Sequence, residues 1–267
     1  EVWTDNEAGQ PIKIIKATSD TEEGVMVANS IFEIKMNEQL RNDAFAILYR
    51  TNAQSRSLEE ALRRLNIPYR IYGGLSFYSR KEIKDLLAYF RLAVNPLDEE
   101  ALRRIINYPH RGIGETTMQK ITLLAGQANL PVWEIIVNHT HYQLGIAGKT
   151  ATAINNFITM ILSFGAQLNT RSAFDLAEYI AKASGVIKDI DEDKTIEGQA
   201  RMENIEALLN AVQEFVEREP AAGEGTGEVR HLDQFMQEVS LLTDQDTDDK
   251  TDTDRVSLMT IHQAKGL

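Results

Sequence analysis

The amino-acid sequence predicts an α/β layer with a parallel sheet, interrupted by an inserted all-helical domain. Three observations predict it. Strand and helix signals alternate over roughly the first ninety residues. Helical periodicity then runs almost unbroken from 98 to 242. Finally, Arg255–Ile261 (RVSLMTI) reads as a strand with no strand near it in sequence. A lone strand after a helical domain makes sense if it returns to the first sheet.

In chain order, Ile12–Ala17 is a short β-branched run. Thr21–Met36 has helical spacing (Val25, Ala28, Ile31, Phe32) and opens on Thr21 and two glutamates, a good helix start. Ala44–Tyr49 (AFAILY) is a continuous apolar run, short enough for a strand buried on both faces. Ser57–Leu65 places Leu58, Ala61, Leu62 and Leu65 on one helix face, and Pro68 ends it. Tyr69–Tyr72 reads as the next strand, broken by Gly73-Gly74, and Lys81–Val94 is an amphipathic helix. Asn95-Pro96 marks a boundary, because the residue before proline is pushed out of helix. Beyond it, helices are expected at 99–107, 115–128, 150–168, 172–183, 196–217 and 231–242. Pro220–Gly227 is a small flexible loop, and Thr243–Asp254, with six Asp and one Lys, a solvated acidic linker. The expected division is 1–94, 95–254 for the inserted helices, and 255–267 for the return strand.

Composition excludes several classes. The 267 residues are 43% hydrophobic and 25% charged, enough for a sizeable core. No apolar run approaches the ~18–20 residues of a membrane span, and no signal-peptide pattern opens the chain. The absence of cysteine excludes disulfides and thiolate metal sites and suits a reducing cytosol, so a cytoplasmic location with no membrane partner is expected. The chain opens on Glu1-Val2-Trp3 without Met and stops at Lys265-Gly266-Leu267, so both ends are expected to be cut from something longer. The net charge of -12 is uneven: residues 41–120 hold 14 basic and 9 acidic side chains. Any phosphate contact is expected from that basic segment, although such residues also commonly solvate helix faces.

Most candidate catalytic motifs fail on inspection. Gly145-Ile146-Ala147-Gly148-Lys149-Thr150 suggests a phosphate loop, but that motif needs a glycine where Gln143 stands, and a helix start is the better expectation. Asp98-Glu99-Glu100 and Asp191-Glu192-Asp193 follow no apolar strand and read as helix starts or surface. His139 and His141 lack companions at metal-ligand spacing.

Two places point to nucleic acid. Gly112-Ile113-Gly114, between the helices expected at 99–107 and 115–128, resembles the turn of helix-hairpin-helix DNA binders. Two glycines leave backbone N–H groups open to a phosphate, and the next helix start adds donors and a positive dipole end. Ile113 would pack inward, while Arg111, Thr116, Thr117 and Lys120 offer side-chain donors; a plain glycine turn between core helices is the alternative. The second place is the strand running into Arg50, Thr51, Asn52 and Gln54, echoed by Thr260, His262, Gln263 and Lys265 after the last strand. Ligands of open α/β sheets sit beyond the carboxyl ends of strands. A capped helix start at Thr51 or Asn52 is the alternative.

LYRTNAQSR (48–56), NIPYRIYGGLSFYSRKEIKDLLAYFRL (66–92), RIINYPHRGIGETT (104–117), KTIEGQAR (194–201) and VSLMTIHQAKGL (256–267) together resemble the UvrD/PcrA-type superfamily 1 DNA helicases, in order and over nearly the whole chain. The resemblance implies that 1–94 and 255–267 form part of the second RecA-like motor domain and 95–254 its inserted accessory domain. It implies an ATP-dependent 3′-to-5′ helicase acting in repair or replication. Arg50, Asn52 and His262 would lie along the single-stranded DNA, and Arg111, Gly112, Ile113, Gly114, Thr116 and Thr117 would touch duplex ahead of the fork. ATP and Mg would serve the full-length protein, with no catalytic residue, metal or cofactor in this stretch alone, and a nucleotide contact expected just past Leu267. Protein regulators through the helical domain are a further expected class of partner. The alternatives are a DNA- or protein-docking regulatory module without a motor role, and part of a recombination nuclease-helicase subunit.

Overall fold

The computed structural model describes residues 9, 11–218, 229–243 and 253–265. The expected loop at 220–227 and most of the acidic linker lie outside the described residues.

The first unit is a small sheet backed by two helices. Helix α1 (Asp20–Glu38) is capped by Ser19, whose hydroxyl accepts the Glu22 N–H at 3.2 Å, with three acids in its first turn. Strand β1 (Ala46–Tyr49) leads into helix α2 (Ser55–Arg64), and strand β2 (Tyr69–Ile71) follows. The third strand, β3 (Val256–Thr260), arrives after the helices and lies between the other two, so the order is β1-β3-β2, all parallel. Ile47 pairs with Leu258 and Leu48 with Met259, so the two distant apolar runs share one sheet. Ile47, Tyr49, Val256 and Leu258 join Ala28, Ile31, Leu58 and Leu62 in one apolar cluster. Gly24 lets α1 lie on α2: a Cβ there would meet the Ser57 carbonyl oxygen at 2.4 Å.

Two expectations fail here. β1 is buried on one face only: Ile47 and Tyr49 face the helices, while Leu48 is 52% exposed. Its continuous apolar run concealed the two-residue alternation, because α1 and α2 cover a single side. Residues 11–17 form no strand, and Ile12 is 94% exposed. β-branched residues stabilise a strand only where another strand accepts their backbone hydrogen bonds, and none does so among the described residues.

The second unit is helical. It comprises α3 (Lys81–Val94), α4 (Glu99–Ile105), α5 (Glu115–Ala128), α6 (Val132–Val137), α7 (Gly148–Gly165), α8 (Ala173–Ala183), α9 (Val186–Asp191), α10 (Ile196–Glu217) and α11 (Leu232–Thr243). Asp98 caps α4 by accepting the Ala101 N–H, as its place before a helical run suggested. The core is one continuous cluster that includes Phe77, Ile83, Leu86, Tyr89 and Phe90 together with Ile105, Phe157, Phe164 and Leu208. Helix α3, expected to go with the first segment, therefore packs inside the helical unit, against α4, α7, α8, α10 and α11. Asn95-Pro96 ends the helix, but the apolar packing changes partners earlier, between Ile71 and Phe77.

Candidate nucleic-acid interface

Both polar strand tips are built on the same local device. After β1, Thr51 and Gln54 form a capping box: the Gln54 Oε1 accepts the N–H groups of Arg50 (2.8 Å) and Thr51 (3.1 Å). After β3, Thr260 and Gln263 repeat it: the Gln263 side chain accepts the Thr260 N–H at 2.9 Å, and the Thr260 hydroxyl accepts the Gln263 N–H at 3.2 Å. That box opens the single turn α12 (Ile261–Ala264). Tyr49 pairs with Thr260, so the two boxes leave adjacent strands at the same level. Arg50, Asn52, His262 and Lys265 are all exposed there. The spacing T-x-x-Q at 51–54 and 260–263 was visible in the sequence and was missed as a repeat.

The end of β2 joins them. The Tyr72 N–H donates to the Leu258 carbonyl at 2.9 Å, and the Gln263 amide donates to the Gly73 carbonyl at 2.8 Å. Gly73 has φ +67, and a Cβ on it would lie 2.4 Å from the Gln263 nitrogen.

The glycine turn at 112–114 has the expected openness. Gly112 has φ +79, and an added Cβ at Gly112 or Gly114 meets nothing within 4 Å. Ile113 is buried, Thr116 and Lys120 are exposed, and Thr117 is half-buried. Asn107 braces the turn by accepting the N–H groups of Arg111 (2.9 Å) and Ile113 (3.1 Å).

Arg111, expected to face DNA, has its guanidinium turned inward. It donates to the carbonyls of Ile105 (3.0 Å), Tyr108 (2.8 Å), Pro109 (3.1 Å) and Ser184 (2.9 Å), and to the Tyr89 hydroxyl. Burial pushes the Tyr89 hydroxyl up to about 12, so it stays protonated and donates onward to the Tyr108 carbonyl. A glycine-rich turn offers few side chains to hold it, and a nearby arginine supplies five donors to carbonyls that have no helix to bond. Alanine at Arg111 is expected to lower stability by about 1–3 kcal/mol, because the Pro109 and Ser184 carbonyls lose this donor. Thermal melting checks it; a melting point unchanged within error would show that the guanidinium does not hold the turn.

The stretch 145–150 does not have the strand–loop–helix form of a phosphate loop. Gly148 begins α7 with no strand leading into it, and no group of three or more acidic or histidine side chains among the described residues could hold a metal ion.

The family described as the UvrD-like helicase C-terminal domain matches residues 2–267. The chain belongs to that family. DNA helicase II of Haemophilus influenzae is 36% identical over 267 residues, covering 100% of this chain and 36% of the relative. The ATP-dependent DNA helicase PcrA of Bacillus subtilis is 35% identical over 271 residues, covering 100% and 35%. PcrA of Staphylococcus aureus (strain Mu50) is 34% identical over 267 residues, again covering 100% and 35%. The chain thus spans about a third of the length of these relatives.

In this UvrD-like domain, the stretch Ser76–Asp85 holds the two units together. Arg80, nearly buried, donates to the Ser55 hydroxyl and to Asn204, both at 2.7 Å. Glu59 on α2 accepts from Ser55 (2.7 Å), from the Phe77 N–H (3.0 Å) and from the Tyr69 hydroxyl (3.1 Å). Tyr78 donates to Glu60 at 2.8 Å, and Asn204 donates to Glu82 at 2.6 Å. Arg56 pairs with Glu60 at 3.3 Å and with Glu214 of α10 at 3.1 Å. Burial raises the Glu59 carboxyl and lowers the Arg80 guanidinium, the expected signs when desolvation outweighs attraction. Sequence reasoning found this stretch by resemblance but had no means to assign its task, because its partners lie on α2 and α10.

Proposed function

We propose that this UvrD-like domain is the DNA-gripping and coupling part of an ATP-dependent 3′-to-5′ DNA helicase. The observation that carries it is the adjacency of the β1 and β3 tips, which expose Arg50, Asn52 and His262 at one end of a parallel sheet. Arg50 and Lys265 supply phosphate charge, while Asn52 and His262 supply hydrogen bonds and a ring face to bases, a sequence-tolerant grip. Its relatives' names as DNA helicase II and ATP-dependent PcrA support the same activity. ATP is bound with Mg and hydrolysed by residues outside this chain, and the chain alone is inactive as an ATPase. The two units are a RecA-like sheet domain and an inserted accessory domain, and their division falls at Gly73-Gly74. The domain works in the reducing cytoplasm, in repair or replication, and its helical unit, which carries more acidic than basic side chains, meets protein regulators.

The glycine turn Gly112-Ile113-Gly114, with Thr116 and Thr117, is the duplex contact of a helix-hairpin-helix. Arg111 serves it by holding its shape. With a net charge of -12, broad duplex affinity is unfavourable, so this contact is local. The test is fluorescence anisotropy of the chain with forked and single-stranded oligonucleotides from low to moderate salt. Fork binding is expected to weaken with salt, and the double variant Gly112→Val, Gly114→Val is expected to reduce it about tenfold while sparing single-stranded binding. Salt-insensitive fork binding, or unchanged fork binding by the variant, defeats the assignment.

A further inference from the structure

Gln263 does more than close its own turn. One amide oxygen completes the capping box under His262, and the amide nitrogen reaches across 190 residues of chain to the Gly73 carbonyl. Gly73 stands at the end of β2, where the sheet hands over to Phe77, Tyr78 and α3 of the helical core. No side chain larger than glycine fits at 73 without displacing Gln263. The turn that carries His262 and the junction to the helical unit are thus joined through a single side chain.

We infer that Gln263 is a positioning residue that couples the His262 turn to the orientation of the helical unit. The inference rests on the assignment of that turn to the single-stranded track. A strand seated at His262 fixes the turn, the turn fixes the Gly73 carbonyl, and the junction then holds the glycine hairpin at one setting relative to the sheet. The buried cluster of Arg80, Glu59, Arg56 and Glu214 attaches the two units directly. With both in place, a fork engages tips and hairpin at once; with one lost, the second contact forms at a lower effective concentration.

Gln263→Glu separates the two roles of the side chain. A carboxylate still accepts the Thr260 N–H but cannot donate to Gly73. The chain contains no cysteine, so Glu38→Cys and Lys149→Cys, both at exposed positions, place one spin label on each unit. Pulsed dipolar distances would be recorded with and without Gln263→Glu, in the absence of DNA. A broadened or shifted distribution with an unchanged melting point is expected, and an unchanged distribution overturns the coupling. Anisotropy then compares fork with single strand. The ratio of fork to single-strand affinity is expected to fall about three- to tenfold in Gln263→Glu, over and above the loss that the added negative charge causes on both DNAs alike. An equal loss on both DNAs, with that ratio unchanged, would overturn the coupling. Altered distances in a chain that binds no DNA at all would leave the strut standing and defeat the assignment of the track.

Discussion

Alanine at Arg80 is expected to lower the unfolding free energy of this chain by about 3–5 kcal/mol, the range seen when one partner of a buried charged network is removed. The guanidinium bridges Ser55 of α2 and Asn204 of α10 and lies 5.3 Å from the Phe77 ring centroid. Without it, the almost fully buried Glu59 loses a compensating charge in a place where burial already disfavours its ionised form. Urea denaturation followed by circular dichroism measures the shift. Lysine at the same position is expected to recover only part of the loss, since one ammonium cannot reach both acceptors in the planar fork geometry. A loss under about 1 kcal/mol for Arg80→Ala would mean that the apolar contacts alone seat the helical unit on α2.

The second large effect concerns DNA. The double variant Asn52→Ala, His262→Ala is expected to weaken single-stranded binding at least about tenfold, because each group contributes a base or backbone contact of roughly 1–3 kcal/mol in such grips. Both side chains are exposed and neither caps a helix, so the melting point should not move. If the proposed function holds, the same pair in the full-length protein should abolish unwinding while leaving DNA-independent ATP hydrolysis intact. Normal unwinding by that variant would remove both residues from the track.

Helices long enough to show several turns of periodicity were legible almost to the residue. Lys81–Val94, Glu115–Ala128 and Ile196–Glu217 begin and end where apolar spacing and cap residues place them. The six-residue helices Val132–Val137 and Val186–Asp191 were not, since fewer than two turns cannot display a face. The return of β3 to the first sheet was deducible because an orphan strand has to pair somewhere. Which face of β1 would be covered was not, because that depends on how many layers pack against it. At the strand ends, the exposure of Arg50, Asn52 and His262 was legible, since polar groups past the end of a strand follow directly from sheet geometry. Arg111 was misread for the opposite reason. The Ile105, Tyr108 and Pro109 carbonyls are close in sequence, but the Ser184 carbonyl and the Tyr89 hydroxyl that help draw it inward belong to other segments, so its neighbours alone do not distinguish an inward arginine from an outward one.

Of the three described strands, the last made is also the middle one. On a ribosome adding about 5–20 residues each second, β1 and β2 emerge as two strands with an empty lane between them. They wait roughly 10–40 s for Val256 to arrive and pair with Tyr69. In that interval the intervening helices have everything needed to collapse around Tyr89 and Phe157 by themselves. Synthesis order therefore has the helical bundle mature first, with the end of the sheet that carries Arg50 and His262 assembled only when the chain doubles back.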